Sequence, residues 1–490
     1  MSTTSTSLES KKMLAELIPP RVLPRVLSRF DLVTIYFALI FGSYGAAQMA
    51  GQGWAGVSMM TLAAITFLIP CILASYELGT LFPGEGGIYI WAHKTFGPIH
   101  GFIAGWLSWV PIFLLIPLGA TTIVAHLQVA LNAQWSLGAQ VTAQLLVAWA
   151  VVIISMKRLS FSQGYVRALF FVSLATAVTV FVVGLLKSSP ANPVNAEISS
   201  LDLGKYGALY SAAILWLLGV EVPFNMGAEI KDVRRSAGTM MLWGSLALMA
   251  GYYLGIIGIL YSTPLDQIDT TTGVARAAAT LSPAIGSLVA ILICFAVSSQ
   301  DVAYMNAYSR LLFVSGIERR LPAVMGQVNE KTRVPIPAML VQGLGASLVI
   351  LIFSTQAQLT VAFNLYIATL VAVWCTSLFY VYAGIVRARK THAALYTERQ
   401  NQVWRIPGGR VGVWAVAIWG AAFNAVAIYY VFAIPLVSTI SPTSWRVWLT
   451  SVSLVVVLLG VWIFARSEKI VASLSAEEEL KKYARFEESV

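Results

Sequence analysis

The chain has 490 residues, of which 58% are hydrophobic and only 11% are charged. Because soluble domains carry about 25% charged residues, this composition excludes a water-soluble domain as the main part of the chain and predicts a membrane protein. The net charge of +10 does not indicate nucleic-acid binding, since the basic residues are distributed over the connections between apolar segments.

Apolar segments near the ~20 residues that cross a bilayer recur along the whole chain. They predict an all-α membrane protein with twelve transmembrane helices, called spans 1 to 12 here in chain order. The predicted spans are 31–51, 55–78, 99–127, 138–156, 163–187, 206–229, 236–261, 284–313, 336–355, 359–386, 411–434 and 446–466. The remaining segments leave no room for an added soluble domain.

Lys and Arg concentrate on the side of the membrane that carries the N-terminus. The basic residues that fall on the opposite side are Lys187, Lys205, Arg276 and Arg446. Since cytosolic connections carry the excess of positive charge, the N-terminal segment 1–30, with Lys11 and Lys12, and the tail 467–490 are both predicted to be cytosolic. No cleavable signal peptide is expected. The expected location is the plasma membrane, as in a bacterial inner membrane.

The tail 467–490 contains a short run of charged residues. Its members are Glu477, Glu478, Glu479, Lys481 and Lys482. This pattern predicts a short charged helix, and we interpret it as a solvated tail.

Two spans are interrupted by residues that disfavour a helix. Span 1 contains glycines between Phe41 and Ala46, and span 6 contains Gly219 and Pro223. Glycine weakens a helix and proline removes a backbone donor. Interrupted helices at matching positions of two halves indicate an inverted repeat with a binding site between the halves. We therefore predict a five-plus-five repeat, about 31–187 and about 206–386, followed by two C-terminal helices at about 411–466.

Four stretches carry a resemblance to a known family. They are Gly42-Ser43-Tyr44-Gly45; Glu77-Leu78 with Phe82-Pro83-Gly84-Glu85-Gly86-Gly87-Ile88-Tyr89, Phe96-Gly97-Pro98, Gly101-Phe102 and Gly105-Trp106; Gly219-Val220-Glu221 with Glu229 and Arg234; and Asn306, Ser309-Arg310, Leu321-Pro322 and Val334-Pro335. Together and in this order they resemble the amino acid–polyamine–organocation superfamily of permeases, over about 31–466. The resemblance implies a transporter fold with broken helices 1 and 6.

The subfamily is less sharply indicated. The run from Glu85 to Tyr89 and the run from Arg405 to Gly409 are similar to the bacterial glutamate–GABA antiporter branch. The residues from Gly42 to Ala46 are also similar to a polyamine-transporting branch. Gln48 occupies the position where an acid is expected for a polycation, so the pattern favours the antiporter-like amino acid transporters.

The predicted substrate site follows from the charges of an amino acid. Unwound backbone and a helix N-terminus at 42–45 attract the carboxylate, and carbonyls at 218–220 accept from the ammonium group. Glu221 either contacts the ammonium group or ties span 6 to N–H groups of span 1. Trp216 either covers the substrate or faces lipid or the core. The predicted residues are Gly42, Ser43, Tyr44, Gly45, Trp216, Leu218, Gly219, Val220 and Glu221.

Energy coupling is predicted from Arg167, Ser298, Ser299 and Asp301. The resemblance implies that helix 8 hydroxyls and helix 1 carbonyls bind sodium in sodium-coupled members, whereas a helix 5 cation replaces the ion in some others. We interpret Arg167 as such a cation with Asp301 as its partner; the alternative is that Arg167 reaches the cytosolic headgroups. Sodium-independent exchange or proton-linked uptake is therefore expected.

The predicted function is secondary active transport of amino acids by alternating access. A transporter of polyamines or other organic amines is one alternative, and a non-transporting amino acid sensor is another. We expect no enzymatic activity, no cofactor and no metal, because the His and Cys residues lack ligand spacing. The expected partners are a small-molecule substrate and the lipid bilayer, without nucleic acid, and the oligomeric state is open, a homodimer included.

Overall fold

A computed structural model describes residues 13–187, 189–194, 201–354, 359–436, 440–473, 475–484 and 486. Lys11 and Lys12 of the predicted cytosolic segment lie outside these described residues. The described chain is almost entirely helical, and its β-type pairing is limited to two isolated bridges, Leu27 with Ile230 and Glu85 with Met226.

The helices follow one another with short connections. In the first half they are α1 Leu14–Leu17, α2 Pro19–Val22, α3 Arg29–Ile40, α4 Ser43–Ala50, α5 Trp54–Ala63, α6 Ile69–Leu81, α7 Gly87–Phe96, α8 Pro98–Trp109, α9 Ile112–Ala130, α10 Leu137–Ser155 and α11 Leu159–Leu185. In the second half they are α12 Leu203–Leu215, α13 Val233–Thr239, α14 Ser245–Ser262, α15 Gly273–Ala279, α16 Pro283–Ile317, α17 Ile336–Phe353, α18 Leu359–Thr391, α19 Ala393–Glu398, α20 Gly409–Ala433, α21 Pro442–Ala472 and α22 Ala476–Tyr483. Short π-helical segments, Ala64–Leu68 and Met240–Gly244, join α5 to α6 and α13 to α14.

Ten helical segments of the described chain are long and apolar enough to cross a membrane. The pair α3 and α4, bent by 43° at its break, makes an eleventh if it is counted as one span. The chain is thus a multi-pass membrane protein, as the composition predicts.

The predicted sixth span has a different structure. Helix α12 is only 13 residues long, and the chain continues in turns and short 3-10 segments through Glu229. Gly219 has a φ of +111°, which a helix does not accommodate, and Pro223 lacks the N–H that a helix needs. The exact twelve-helix inverted repeat therefore remains a prediction.

The broken first span lies inside the helical bundle. Helix α16, the longest at 35 residues, packs against α3, α9 and α11. Helix α14 packs against α4 and α11. By contrast, only 17% of the most apolar stretch of α21 is buried, against 72% of that of the α8–α9 segment. The break is thus enclosed by α14 and α16, while the last helix is peripheral.

Both ends of the described chain pack on the same face of the bundle, called the N-terminal face here. Near the start, the Ala15 N–H donates to the Glu318 side chain at 2.8 Å, and Lys94 pairs with Glu16 at 2.6 Å. Near the end, the Tyr483 hydroxyl donates to the Gly326 carbonyl at 2.8 Å. This shared face agrees with an even number of crossings.

The tail is docked, and its interpretation as a solvated tail is wrong. The short charged helix is present as α22, but Glu479 is paired with Arg319 at 2.6 Å. Phe486 is 2% exposed and lies under the Arg333 guanidinium, 4.8 Å from the ring centroid. The aromatic residues of the tail supply apolar contacts, which its run of charged residues does not predict.

We predict that Arg319→Ala releases the tail. The substitution removes a partly buried ion pair, which contributes about 1–2 kcal/mol to local stability. Limited proteolysis should then cut the tail about tenfold faster. Lys481→Ala is the matched control, because its pair with Glu477 is 71% and 80% exposed. Equal cleavage rates in the two variants would contradict docking through Arg319.

Candidate substrate site

The break after α3 is stabilised by two tyrosine hydroxyls. The Tyr252 hydroxyl donates to the Ile40 carbonyl at 2.7 Å and accepts from the Gly42 N–H at 3.2 Å. The Tyr304 hydroxyl donates to the Leu39 carbonyl. Backbone groups freed at membrane depth must find partners inside the protein. Tyr252 of α14 and Tyr304 of α16 supply them here.

The start of α4 presents an unpaired hydroxyl. Gly42, in extended conformation, is the residue before the helix, and its carbonyl accepts from the Gly45 N–H at 2.9 Å. Ser43 is buried, and its Oγ has no hydrogen-bond partner within the described structure. The Tyr44 hydroxyl donates to Gln300 of α16 at 3.0 Å. The beginning of the helix therefore combines its positive end with a free buried hydroxyl.

Trp216 packs directly on this helix. A Cβ atom added to Gly45 would lie 2.7 Å from the Trp216 ring, so only glycine permits this approach. The ring also meets Tyr44 edge-on at 5.1 Å between centroids, and its Nε1–H donates to Gln48 at 2.7 Å. Trp216 therefore faces the broken helix and not the lipid.

The segment after α12 offers backbone acceptors. The Gly219 carbonyl accepts from the Val222 N–H at 3.1 Å. The carbonyls of Leu218 and Val220 receive no hydrogen bond from the described residues. Two of the three predicted acceptors are thus open, whereas Gly219 is used by the turn itself.

Glu221 is fully buried and only half paired. One oxygen accepts from the Trp374 Nε1–H of α18 at 2.8 Å, and Oε2 has no partner in the described part of the chain. The predicted tie to N–H groups of the first span is wrong, because Tyr252 takes the Gly42 N–H and Glu221 turns toward Trp374. Direct contact with a cationic substrate remains compatible with this geometry.

Asp301 and its neighbours on α16 differ in how well they are paired. Asp301 is 1% exposed and packs on Gly119 of α9, where a Cβ atom would lie 2.2 Å from Oδ2. Its Oδ2 has no hydrogen-bond partner among the described residues. The Ser298 hydroxyl bonds to Tyr165 at 2.5 Å, and the Ser299 hydroxyl donates to a carbonyl of its own helix at 2.7 Å.

Arg167 pairs with Asp31 at 3.5 Å and its side chain is 47% exposed. The predicted pairing with Asp301 is therefore wrong. Asp31 lies in the first turn of α3, where Ser28 caps the helix, so the Arg167 side chain is drawn toward the N-terminal face. In the described chain, no group of His, Cys, Asp and Glu could bind a metal ion.

A fully buried cluster separates these residues from the N-terminal face. Arg310 donates to both oxygens of Glu229 at 2.9 and 3.0 Å and lies 3.6 Å from Glu85. Glu85 in turn accepts from the Ala228 N–H at 3.0 Å. Burial raises the pKa of the Glu85 carboxyl, Glu229 raises it further, and Arg310 opposes both. We call Glu85, Glu229 and Arg310 the Arg310 cluster.

Two cavities open toward the other face. One, of about 640 Å³, is lined by Thr121, Gln128 and Arg276. The other, of about 380 Å³, is lined by Gln48 and Tyr206. Gln48 also accepts from Trp216, whose ring packs on the helix after the first break. The second cavity therefore reaches a residue that contacts Trp216.

Comparison with known proteins decides the family. The amino acid permease family matches residues 27–461. The chain belongs to this family. The resemblance to the amino acid–polyamine–organocation superfamily is thereby confirmed.

Several relatives of this permease share most of its length. An uncharacterized transporter of Legionella pneumophila is 24% identical over 79% of this chain and 85% of its own. A probable agmatine/putrescine antiporter of Lactococcus lactis is 22% identical over 66% and 72%. A probable polyamine transporter of Arabidopsis thaliana is 21% identical over 52% of both chains.

Sequence reasoning missed the roles of Tyr252, Tyr304 and the Arg310 cluster. Arg310 gave a usable signal, because a charge within an apolar span indicates a buried partner. The two tyrosines gave none, since tyrosine is common in membrane helices and its hydroxyl acts only where a distant break presents a carbonyl.

We predict that Tyr252→Phe destabilises this permease. The change leaves the Ile40 carbonyl and the Gly42 N–H without their partner, which costs about 1–3 kcal/mol. The midpoint of thermal unfolding in detergent should fall. Tyr253→Phe is the matched control, because its hydroxyl bonds Thr61 at an exposed position. Equal midpoints for both variants would exclude Tyr252 as a cap of the break.

Proposed function

We propose that this permease is a secondary active transporter that carries an amino acid across the plasma membrane by alternating access, with both termini cytosolic. One observation carries the proposal. The buried side-chain atoms without a partner in the described structure include Ser43 Oγ, Glu221 Oε2 and Asp301 Oδ2, which lie near the two interruptions. An unsatisfied buried polar atom is costly, and a bound substrate removes that cost.

An amino acid matches the signs of these groups. Its carboxylate fits the Ser43 hydroxyl and the positive end of α4. Its ammonium group fits the open carbonyls of Leu218 and Val220 and the free oxygen of Glu221. Both charges of the substrate would then be paired inside the low dielectric of the protein.

Alternating access is supported by unequal closure of the two faces. The Arg310 cluster blocks the N-terminal face with buried ion pairs, whereas Trp216 and Gln48 separate the site from a cavity on the other face. In this proposal, opening toward the cytosol requires the Arg310 cluster to rearrange, and opening outward requires Trp216 to leave its contact with Gln48. Binding energy that favours one arrangement shifts the population between them.

Sodium independence is supported by the occupancy of the first-span carbonyls. Leu39 and Ile40 already accept from Tyr304 and Tyr252, so the tyrosine hydroxyls stand where an ion would need oxygen ligands. Arg167 does not supply this support, because it pairs with Asp31 near the N-terminal face. Exchange and proton-linked uptake both remain part of the proposal.

A diamine or polyamine is the second candidate substrate. Two buried carboxylates, Glu221 and Asp301, each have an unpaired oxygen, and an amine at each end of a substrate would satisfy both. Relatives named as agmatine/putrescine and polyamine transporters support this candidate. Gln48 does not add a third acid, because its side chain is an uncharged amide whose oxygen accepts from Trp216.

The proposed function is tested with purified protein in proteoliposomes. Uptake and exchange of labelled amino acids and diamines are measured with sodium or choline outside, and with or without a pH gradient. We expect saturable transport that is unchanged by sodium. Binding without uptake or exchange would identify a sensor, and a sodium requirement would overturn the coupling proposal. Asp301→Asn separates the substrates, since it should reduce diamine uptake at least tenfold and amino acid uptake much less.

We predict that Glu221→Gln lowers the transport rate at least tenfold. Glutamine still accepts from Trp374 but removes the negative charge that pairs with the ammonium group, so thermal stability should stay close to that of the wild type. Trp374→Phe is the companion variant, because it removes the hydrogen bond and keeps the charge. If Glu221→Gln transports at the wild-type rate while Trp374→Phe loses transport, Glu221 acts only through its bond to Trp374.

A further inference from the structure

A third cavity lies at the N-terminal face, where α18 ends and α20 begins. It has a volume of about 340 Å³ and is lined by Arg389, Lys390, Arg410, Trp414, Val386 and Val413, with Gly409 at the start of α20. Three of its lining residues are cationic and none is acidic. We call it the basic cavity.

The positive charge of the basic cavity is only partly neutralised. Arg389 is paired with the fully buried Glu77 at 2.5 Å, and that carboxylate also accepts from Tyr396 and the Ile406 N–H at 2.6 and 2.7 Å. Glu77 is therefore saturated. Lys390 and Arg410 have no ion pair within the described part of the chain and are exposed. About two positive charges thus remain for a ligand.

An apolar stripe continues from the basic cavity along α20. Val411 is 80% exposed, Trp414 40% and Ile418 61%, and their spacing of three and four residues places them on one side of the helix. Trp414 lies between Val411 and Ile418 on the stripe and lines the basic cavity beside the cations. Tryptophan at this level is typical of a membrane interface, so Val411 and the cations lie at headgroup depth, and Ile418, one turn further along α20, lies at acyl-chain depth.

We propose that the basic cavity binds the headgroup of an anionic phospholipid from the leaflet at the N-terminal face, with the acyl chains against the α20 stripe. The chemistry is complementary at both ends. A phosphodiester meets Lys390, Arg410 and Arg389, and the hydrocarbon meets Trp414 and Ile418. Basic cavities between transmembrane helices on the cytosolic side bind such headgroups, and the distribution of Lys and Arg assigns this face to the cytosol.

The test measures lipid binding and does not depend on transport. Purified permease in detergent is titrated with dioctanoyl phosphatidylglycerol, and the midpoint of thermal unfolding reports the bound fraction. The double variant Lys390→Ala/Arg410→Ala should bind about 30-fold more weakly, because each cation near a lipid headgroup contributes a comparable share of the affinity. Each single variant should lose about fivefold, which keeps the proposal testable if the double variant does not fold.

Arg466→Ala/Lys469→Ala is the matched control. It removes the same charge at the same end of the bundle. Arg466 lies next to a tryptophan, Trp462, but neither Arg466 nor Lys469 lines the basic cavity. The control should bind the lipid as tightly as the wild type does. An equal loss in the control would overturn the proposal, as would equal binding of dioctanoyl phosphatidylcholine. Equal stabilisation by glycerol 3-phosphate would also overturn it and would indicate a site for soluble anions.

Discussion

A helix can be broken inside a membrane only where its freed backbone groups are buried in the protein or line a cavity. At the first break of this permease these groups are bonded by hydroxyls from distant helices. Tyr252 serves both sides of the first break, and Tyr304 serves the carbonyl before it. These contacts fix α14 and α16 against the break. The positions of Ser43, Trp216 and Asp301 around it depend on this arrangement.

The same reasoning separates buried polar groups that are fully paired from those that are not. Glu77 accepts four hydrogen bonds from Arg389, Tyr396 and the Ile406 N–H, so its charge is fully used in connecting α6 to α18. Glu221 and Asp301 are as deeply buried but each keeps an unpaired oxygen. A protein that leaves such groups unpaired at its centre loses stability, and a substrate that pairs with them restores it.

The two faces of the bundle differ in the charge of the side chains that close them. The N-terminal face carries the Arg310 cluster, the docked tail and the basic cavity. In each of them an arginine pairs with a carboxylate. Arginine suits these places because its planar group pairs with two oxygens at once and remains charged when buried. Toward the opposite face, Trp216 and Gln48 are joined by a hydrogen bond between uncharged groups. Under the proposed alternating access, this asymmetry would give the two faces different barriers to opening.

The sequence by itself determined that the chain is a multi-pass membrane protein and where the helices are interrupted; it predicted twelve spans, and the described residues form ten, or eleven with the bent pair. These follow from composition and from glycine and proline, whose effects are local. It also overestimated span 6, where an apolar run continues past the last helical residue, Leu215. Only the tertiary structure decided that Arg167 pairs with Asp31, that Glu221 bonds Trp374 and that the tail docks. Such pairs join residues up to 160 positions apart, and their choice depends on how helices pack, which no local pattern records.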